Sequence, residues 1–222
     1  MNPILITGTD TGVGKTWVAC ALGRALTATG RRVVAIKPVE TGCTDGARGA
    51  EDGVLLAAAT GQTEPREALD RFAEPLAPVL AAEAEGRTID FDALVLQVES
   101  LGENADVVLI EGVGGLLAPI TWEWTMVDLA RALDASALVV GADRLGVINH
   151  SLLTLSDLEL AGIEVTGMVL SAPEKADRST GTNVPAIMKL SGVDRVARVA
   201  RLTDPGEAAV AVAPLLEWIG PS

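Results

Sequence analysis

A chain of 222 residues with 49% hydrophobic content and only 3% aromatics is long enough for a sizeable core, built of Val, Leu, Ile and Ala. The formal net charge of −13 argues against a nucleic-acid partner and against an anionic membrane surface, since both require a basic face. No run approaches the roughly 18 apolar residues of a membrane span and no secretory cleavage pattern is visible, so the expectation is a cytoplasmic protein forming a single domain over residues 1–222.

In chain order, Ile4-Leu5-Ile6 reads as a short buried strand, followed by Gly8-Thr-Asp-Thr-Gly-Val-Gly-Lys-Thr16 and a helix over 15–29. A second buried strand over 32–36 ends at Lys37-Pro38, and 39–49 reads as a loop. Helices follow at 51–60, closed by Gly61, and at 79–85, with a proline-bearing loop over 72–78 before the latter. Residues 90–103 have helical period, and the apolar strand 107–110 runs into Glu111-Gly-Val-Gly-Gly115. Then come helix 126–133, strand 137–141, helix 147–161 and strand 164–170. An irregular polar stretch covers 173–182. Helix 184–190, edge strand 195–199 and helix 207–218 close the chain. Strands alternating with helices predict an α/β fold in three layers: a mostly parallel sheet with helices on both faces, ligands gathering at the carboxyl ends of the strands.

Strand, glycine turn and helix in that order predict a phosphate-binding loop, with Asp10, Thr11, Gly12, Val13, Gly14, Lys15 and Thr16 as the nucleotide cradle. Lys15 would reach the β/γ-phosphates and Thr16 would sit on Mg²⁺. The spacing is Gly-x5-Gly-Lys-Thr, with Thr9 where the usual motif has its first glycine. Lys37 ends a buried strand, where an unpaired lysine is costly, so it is read as a functional cation. Glu111, after four apolar residues, resembles the acid at the end of a Walker B strand and is read as a metal ligand. Asp52 is the weaker acid, since a carboxylate in a first helical turn also answers the helix dipole. His150 is the only histidine, which excludes a His triad or a His-cluster metal site. Cys20 and Cys43 have neither pairing nor metal spacing.

These residues resemble the dethiobiotin synthetases, P-loop enzymes that close a cyclic urea at the expense of ATP. The resemblance rests on Gly8–Thr16, Lys37-Pro-Val-Glu-Thr-Gly42, Phe72-Ala-Glu-Pro-Leu-Ala-Pro78 with Ala81-Ala82, Glu111–Gly115 and Leu145-Gly-Val-Ile-Asn-His150, spread over nearly the whole chain. It implies the substrates 7,8-diaminononanoate, CO₂ and a nucleoside triphosphate, with a carbamate and a carbamic–phosphoric anhydride as intermediates. It places Thr11, Lys15 and Lys37 around the carbamate and γ-phosphate and Thr41 at the diamine. Thr16, Asp52 and Glu111 fall on Mg²⁺, and Gly112, Val113 and Gly114 on the nucleotide side. It also implies a homodimer in which Gly146, Val147, Ile148 and Asn149 reach the partner's substrate.

The chain departs from the family at Gly167-Met-Val-Leu-Ser171, where an asparagine usually reads the adenine edge. Ser171 is shorter and less selective, so CTP or another triphosphate is expected to serve beside ATP, with Arg201 as a further base contact. A partition-type switch ATPase is the main alternative, disfavoured because Asp10 stands where that class carries an early lysine. A cobyrinic-acid-type amidoligase needs a glutamine-hydrolysing domain for which this chain is expected to be too short. A bare nucleotide-binding module would leave Lys37 and Thr41 unexplained.

Overall fold

The structure, a computed structural model, describes residues 2–220. Six strands form one parallel sheet: β1 (Pro3–Gly8), β2 (Val33–Ile36), β5 (Val107–Gly115), β6 (Ser136–Ala142), β7 (Val165–Ser171) and β8 (Val196–Val199), in the order β2-β5-β1-β6-β7-β8. Strand alternation explains the layers. Ile4 and Ile6 turn to one face with Leu22 and Leu26 of helix α1 (Lys15–Ala28), Leu56 of α2 (Asp52–Thr60) and Val212 of α8 (Pro205–Val212). Leu5 turns to the other face with Leu94 of α4 (Phe91–Gly102), Leu129 of α5 (Met126–Ala132), Leu158 of α6 (Val147–Leu160) and Ile187 of α7 (Asn183–Ser191). A side chain such as Leu22 or Leu5, at 0% exposure, contributes about 1.5–3 kcal/mol through burial. The expected three-layer α/β fold is what forms.

The chain passes from β1 to β2 on one side of β1 and from β5 to β6 on the other, so the strand order reverses beside β1 and a crevice opens at its carboxyl end. That places the ends of β1, β5 and β2 side by side. The register Ile6↔Glu111 shifts before Gly8↔Gly115, so β5 carries an irregularity between its acid and its last glycine.

Three expectations are corrected. Residues 39–49 and 72–78 are not wholly loop: β3 (Val39–Thr41) pairs in parallel with β4 (Asp70–Phe72) as a separate two-stranded ribbon. Val39 and Phe72 are each 1% exposed, so long-range burial overrides the turn signal of Pro38. Helix α3 (Pro78–Ala84) then opens on a proline at its first position. Strand β5 runs five residues past its expected end, because pairing with β1 continues to Gly115. The last helix stops at Val212 and continues as a 3-10 turn over Ala213–Ile219, since Pro214 has no N–H to give the preceding turn. No helix among the described residues is long and apolar enough to cross a membrane.

Candidate active site

The turn after β1 is held open by its glycines. A Cβ on Gly8 would lie 2.7 Å from the Asp10 carbonyl oxygen, and Gly14 has φ +100°, a left-handed geometry that only glycine adopts without strain. Gly14 caps α1 without a side-chain bond, which leaves the first N–H groups of that helix directed into the turn. Lys15 folds across it: its Nζ donates to Gly114 O at 2.7 Å and to Asp10 O at 3.1 Å. Burial, reinforced by the charge of Lys37, pulls the Lys15 ammonium down to about 8. The Asp10 carboxylate stays exposed and accepts from Thr11 N at 2.7 Å.

Beside the turn lies a compact cluster of charge. Lys37 Nζ donates to Asp52 Oδ2 at 2.7 Å and to Glu111 Oε1 at 2.8 Å. The Thr16 hydroxyl lies 2.8 Å from both Asp52 Oδ1 and Glu111 Oε1 and gives its one proton to either. Burial alone would lower the Lys37 ammonium, but Glu111 and Asp52 outweigh it and hold the group above the ordinary lysine range. Burial raises Glu111, against the pull of Lys37. Asp52 moves the other way: burial pushes it up, and the charge and hydrogen bond of Lys37 prevail and hold it low.

The donor set suits a hard divalent cation. Thr16, Asp52 and Glu111 offer one hydroxyl and two carboxylates, all oxygen. Glu111 Oε2 is buried without a hydrogen-bond partner, an oxygen left available for a metal or its water. These residues fit Mg²⁺.

Around this cluster opens a cavity of about 260 Å³ lined by Thr11, Gly12, Gly14, Lys15, Thr16, Lys37, Glu40, Thr41, Asp52, Glu111, Val113, Gly114 and Arg201. Most of the expected site residues therefore meet in one place. Gly112 lies beneath it, packed toward Met126 and Leu5, though its carbonyl is 3.5 Å from Lys37 Nζ. The Val13 side chain is buried in the core and not in the cavity lining. Gly146, Val147, Ile148 and Asn149 lie outside the cavity, at the start of α6, and the Val147 side chain is buried against Gly141.

The two expected base contacts, Ser171 and Arg201, both lie against the phosphate loop. Ser171 is fully buried, and its hydroxyl donates to the Val13 carbonyl of the phosphate loop. Arg201, the other expected base contact, lies over Gly14 of the phosphate loop. Asn183 gives its amide N–H groups to Asp143 Oδ1 at 2.7 Å and to Ser179 O at 3.0 Å.

Sequence reasoning missed Glu40. From β3 it accepts the N–H groups of Asp52 and Gly53, capping α2 and setting the position of Asp52. Burial raises its carboxyl, against the two backbone bonds. The available signal was an acid between Val39 and Thr41 in a short strand-like run. Asp143 was missed too: wholly buried at the end of β6, it accepts from Arg198 Nε at 2.7 Å, from Gly181 N at 2.8 Å and from Asn183, tying β8 and the 177–183 segment to the sheet.

Comparison with known proteins agrees with this geometry. Residues 2–208 match the family model described as an AAA domain. An "ATP-dependent dethiobiotin synthetase BioD" from Anaeromyxobacter sp. is 43% identical over 93% of this chain and 93% of its own, and one from Aquifex aeolicus is 39% identical over 90% of each. Among solved structures, the Pyrococcus furiosus cell division ATPase MinD superposes with a TM-score of 0.61 at 22% identity, covering 98% of both chains, a likeness of fold alone. With its phosphate loop, its buried lysine between two carboxylates and these relatives, the chain belongs to the ATP-dependent dethiobiotin synthetase family.

Proposed function

We propose that this chain is a Mg²⁺-nucleotide-dependent cyclo-ligase that converts 7,8-diaminononanoate and CO₂ into dethiobiotin in biotin biosynthesis, acting in the cytoplasm. The observation that carries the reading is Lys37, buried and bridging Asp52 and Glu111 within the phosphate-loop cavity. A switch ATPase or a passive binding module gives no account of a second buried lysine there.

One amine of the substrate adds to CO₂ and loses a proton, giving an N-carbamate. A carbamate oxygen then bonds to the γ-phosphorus as the bond to the nucleoside diphosphate breaks, forming a carbamic–phosphoric anhydride. The second amine attacks the anhydride carbonyl, loses a proton and expels phosphate, closing the urea. The carbamate is already anionic, so the chemistry needs charge screening and alignment more than a strong base. Lys15, Lys37 and Thr11 would serve that need, with Thr41 at the diamine. Thr16, Asp52 and Glu111 would hold Mg²⁺, which supplies neutralisation of phosphate charge when bound.

Gly146 and Asn149 lie outside this chain's own cavity, which supports a homodimer in which a second copy delivers that segment to the diamine. With the Ser171 hydroxyl committed to Val13, the base is left without that reader, and ATP, CTP or another triphosphate would serve. The test is phosphate release with Mg²⁺, nucleotide, bicarbonate and 7,8-diaminononanoate, each omitted in turn. Release that requires both bicarbonate and diamine supports the reading, and release indifferent to the diamine refutes it. A hundredfold preference for ATP over CTP would overturn the statement about the base.

A further inference from the structure

We infer that Arg201 is a phosphate-gripping residue: its guanidinium holds the polyphosphate chain of the nucleotide together with Lys15, independently of the base. The inference rests on the nucleotide reading of the site above and adds to it a residue for which the phosphate-loop motif has no counterpart.

Position is the first argument. A Cβ placed on Gly14 would lie 3.0 Å from Arg201 Nη2 and 3.1 Å from its Nε, so the edge of the guanidinium rests on the glycine just before Lys15. Arg201 also lines the same cavity as Lys15, Thr16 and Lys37. Pairing is the second. Arg32, Arg71, Arg87 and Arg198 each bond a carboxylate, and Arg31, Arg66 and Arg195 each donate to a backbone carbonyl. Among the described residues Arg24, Arg131, Arg144, Arg178 and Arg201 have neither kind of partner, and of these Arg201 alone lines the cavity of the phosphate loop. A fork of N–H donors with no acid beside it, pointed at a phosphate loop, suits bidentate contact with phosphate oxygens.

Anchoring is the third argument. The next residue, Leu202, accepts the Trp17 indole N–H at 2.9 Å, and Trp17 sits in the first turns of α1. The backbone bearing Arg201 is thereby tied to the helix whose N-terminus faces the phosphates. Charge balance points the same way. Glu40, Asp52 and Glu111 line the cavity against Lys15 and Lys37, so without Arg201 a triphosphate would meet a lining of net negative charge.

The experiment is nucleotide binding by the intact protein and its Arg201→Gln and Arg201→Lys variants, using ATP, CTP and GTP, with inorganic tripolyphosphate as a base-free competitor. Loss of one charge-assisted pair predicts that Arg201→Gln weakens all three nucleotides by the same factor, about ten- to hundredfold. The inhibition constant of tripolyphosphate should rise by that factor too. Arg201→Lys keeps the charge without the fork and should recover part of the loss. An unchanged affinity, or a loss confined to one base, would overturn the inference. A wild-type protein that binds no nucleotide would instead refute the functional reading beneath it.

Discussion

The Lys37 ammonium lies 2.8 Å from Glu111 Oε1, with the lysine side chain 4% and the glutamate side chain 1% exposed. Such a pair is held by mutual need, because either charge alone in that place is costly. Lys37→Ala should therefore abolish turnover and also cost about 3–5 kcal/mol of stability by stranding the Glu111 carboxylate. Nucleotide binding should remain largely intact, since Lys15 and the backbone cradle are untouched. Calorimetric binding alongside thermal melts checks this. A loss of nucleotide affinity equal to the loss of activity would make Lys37 a binding residue only.

Lys15 gives a pH dependence with a defined sign. Its ammonium titrates near 8, because burial and Lys37 disfavour the charged form. Polyphosphate beside it favours that form and lifts the value, so between the two values binding takes up a proton. Affinity for the triphosphate should fall as pH rises through about 8. Titrations at pH 8.5 in two buffers of different ionisation heat should report net proton uptake, and net release would contradict the assignment.

The Ser171 hydroxyl holds the phosphate loop by its Val13 carbonyl. Ser171→Ala should weaken every nucleotide by a similar small factor, about 0.5–1.5 kcal/mol, with no change in base preference. A shift in the ATP/CTP ratio would show that Ser171 reads the base after all.

Glu40 caps α2 through the N–H groups of Asp52 and Gly53. Glu40→Ala should lower stability by about 0.5–2 kcal/mol, as loss of a helix cap does, and should raise the Mg²⁺ concentration needed for half-maximal rate by displacing Asp52. Melting temperature and metal titration together test it. An altered melt with an unchanged metal requirement would confine Glu40 to the helix.

Burial, followed by the charges of Glu111 and Asp52, pushes the Cys20 thiol up to about 12. Very little thiolate exists at neutral pH, so Cys20 in the native protein should resist iodoacetamide at pH 7.5 and react on unfolding. Mass spectrometry of the alkylated protein reads this directly.

Much of this site was legible in the chain alone because its parts are local. Ile4-Leu5-Ile6 followed by Gly12, Gly14, Lys15 and Thr16 requires only that a strand end, a turn open and a helix begin, all within 13 residues of each other. Lys37 and Glu111 could be marked for the same reason: each ends or interrupts an apolar run, and parallel strands deliver their ends to one edge. The sequence likewise determined the layer structure, since alternating faces in β1 dictate two cores.

Only the tertiary structure decided the rest, and in each case the deciding contact joins distant residues. Val39–Thr41 is a strand only because residues 70–72 lie beside it. Glu40 has a role only because the N-terminus of α2, 12 residues on, returns to it. Ser171 meets Val13 across 158 residues, which ties the end of β7 to the phosphate loop. Arg201 comes to lie on Gly14 because β7 and β8 stack beside β6, and no local pattern encodes that approach. Local propensity and periodicity act over a few residues, whereas packing and long-range hydrogen bonds assign a side chain its partner. The partner is what sets its chemistry.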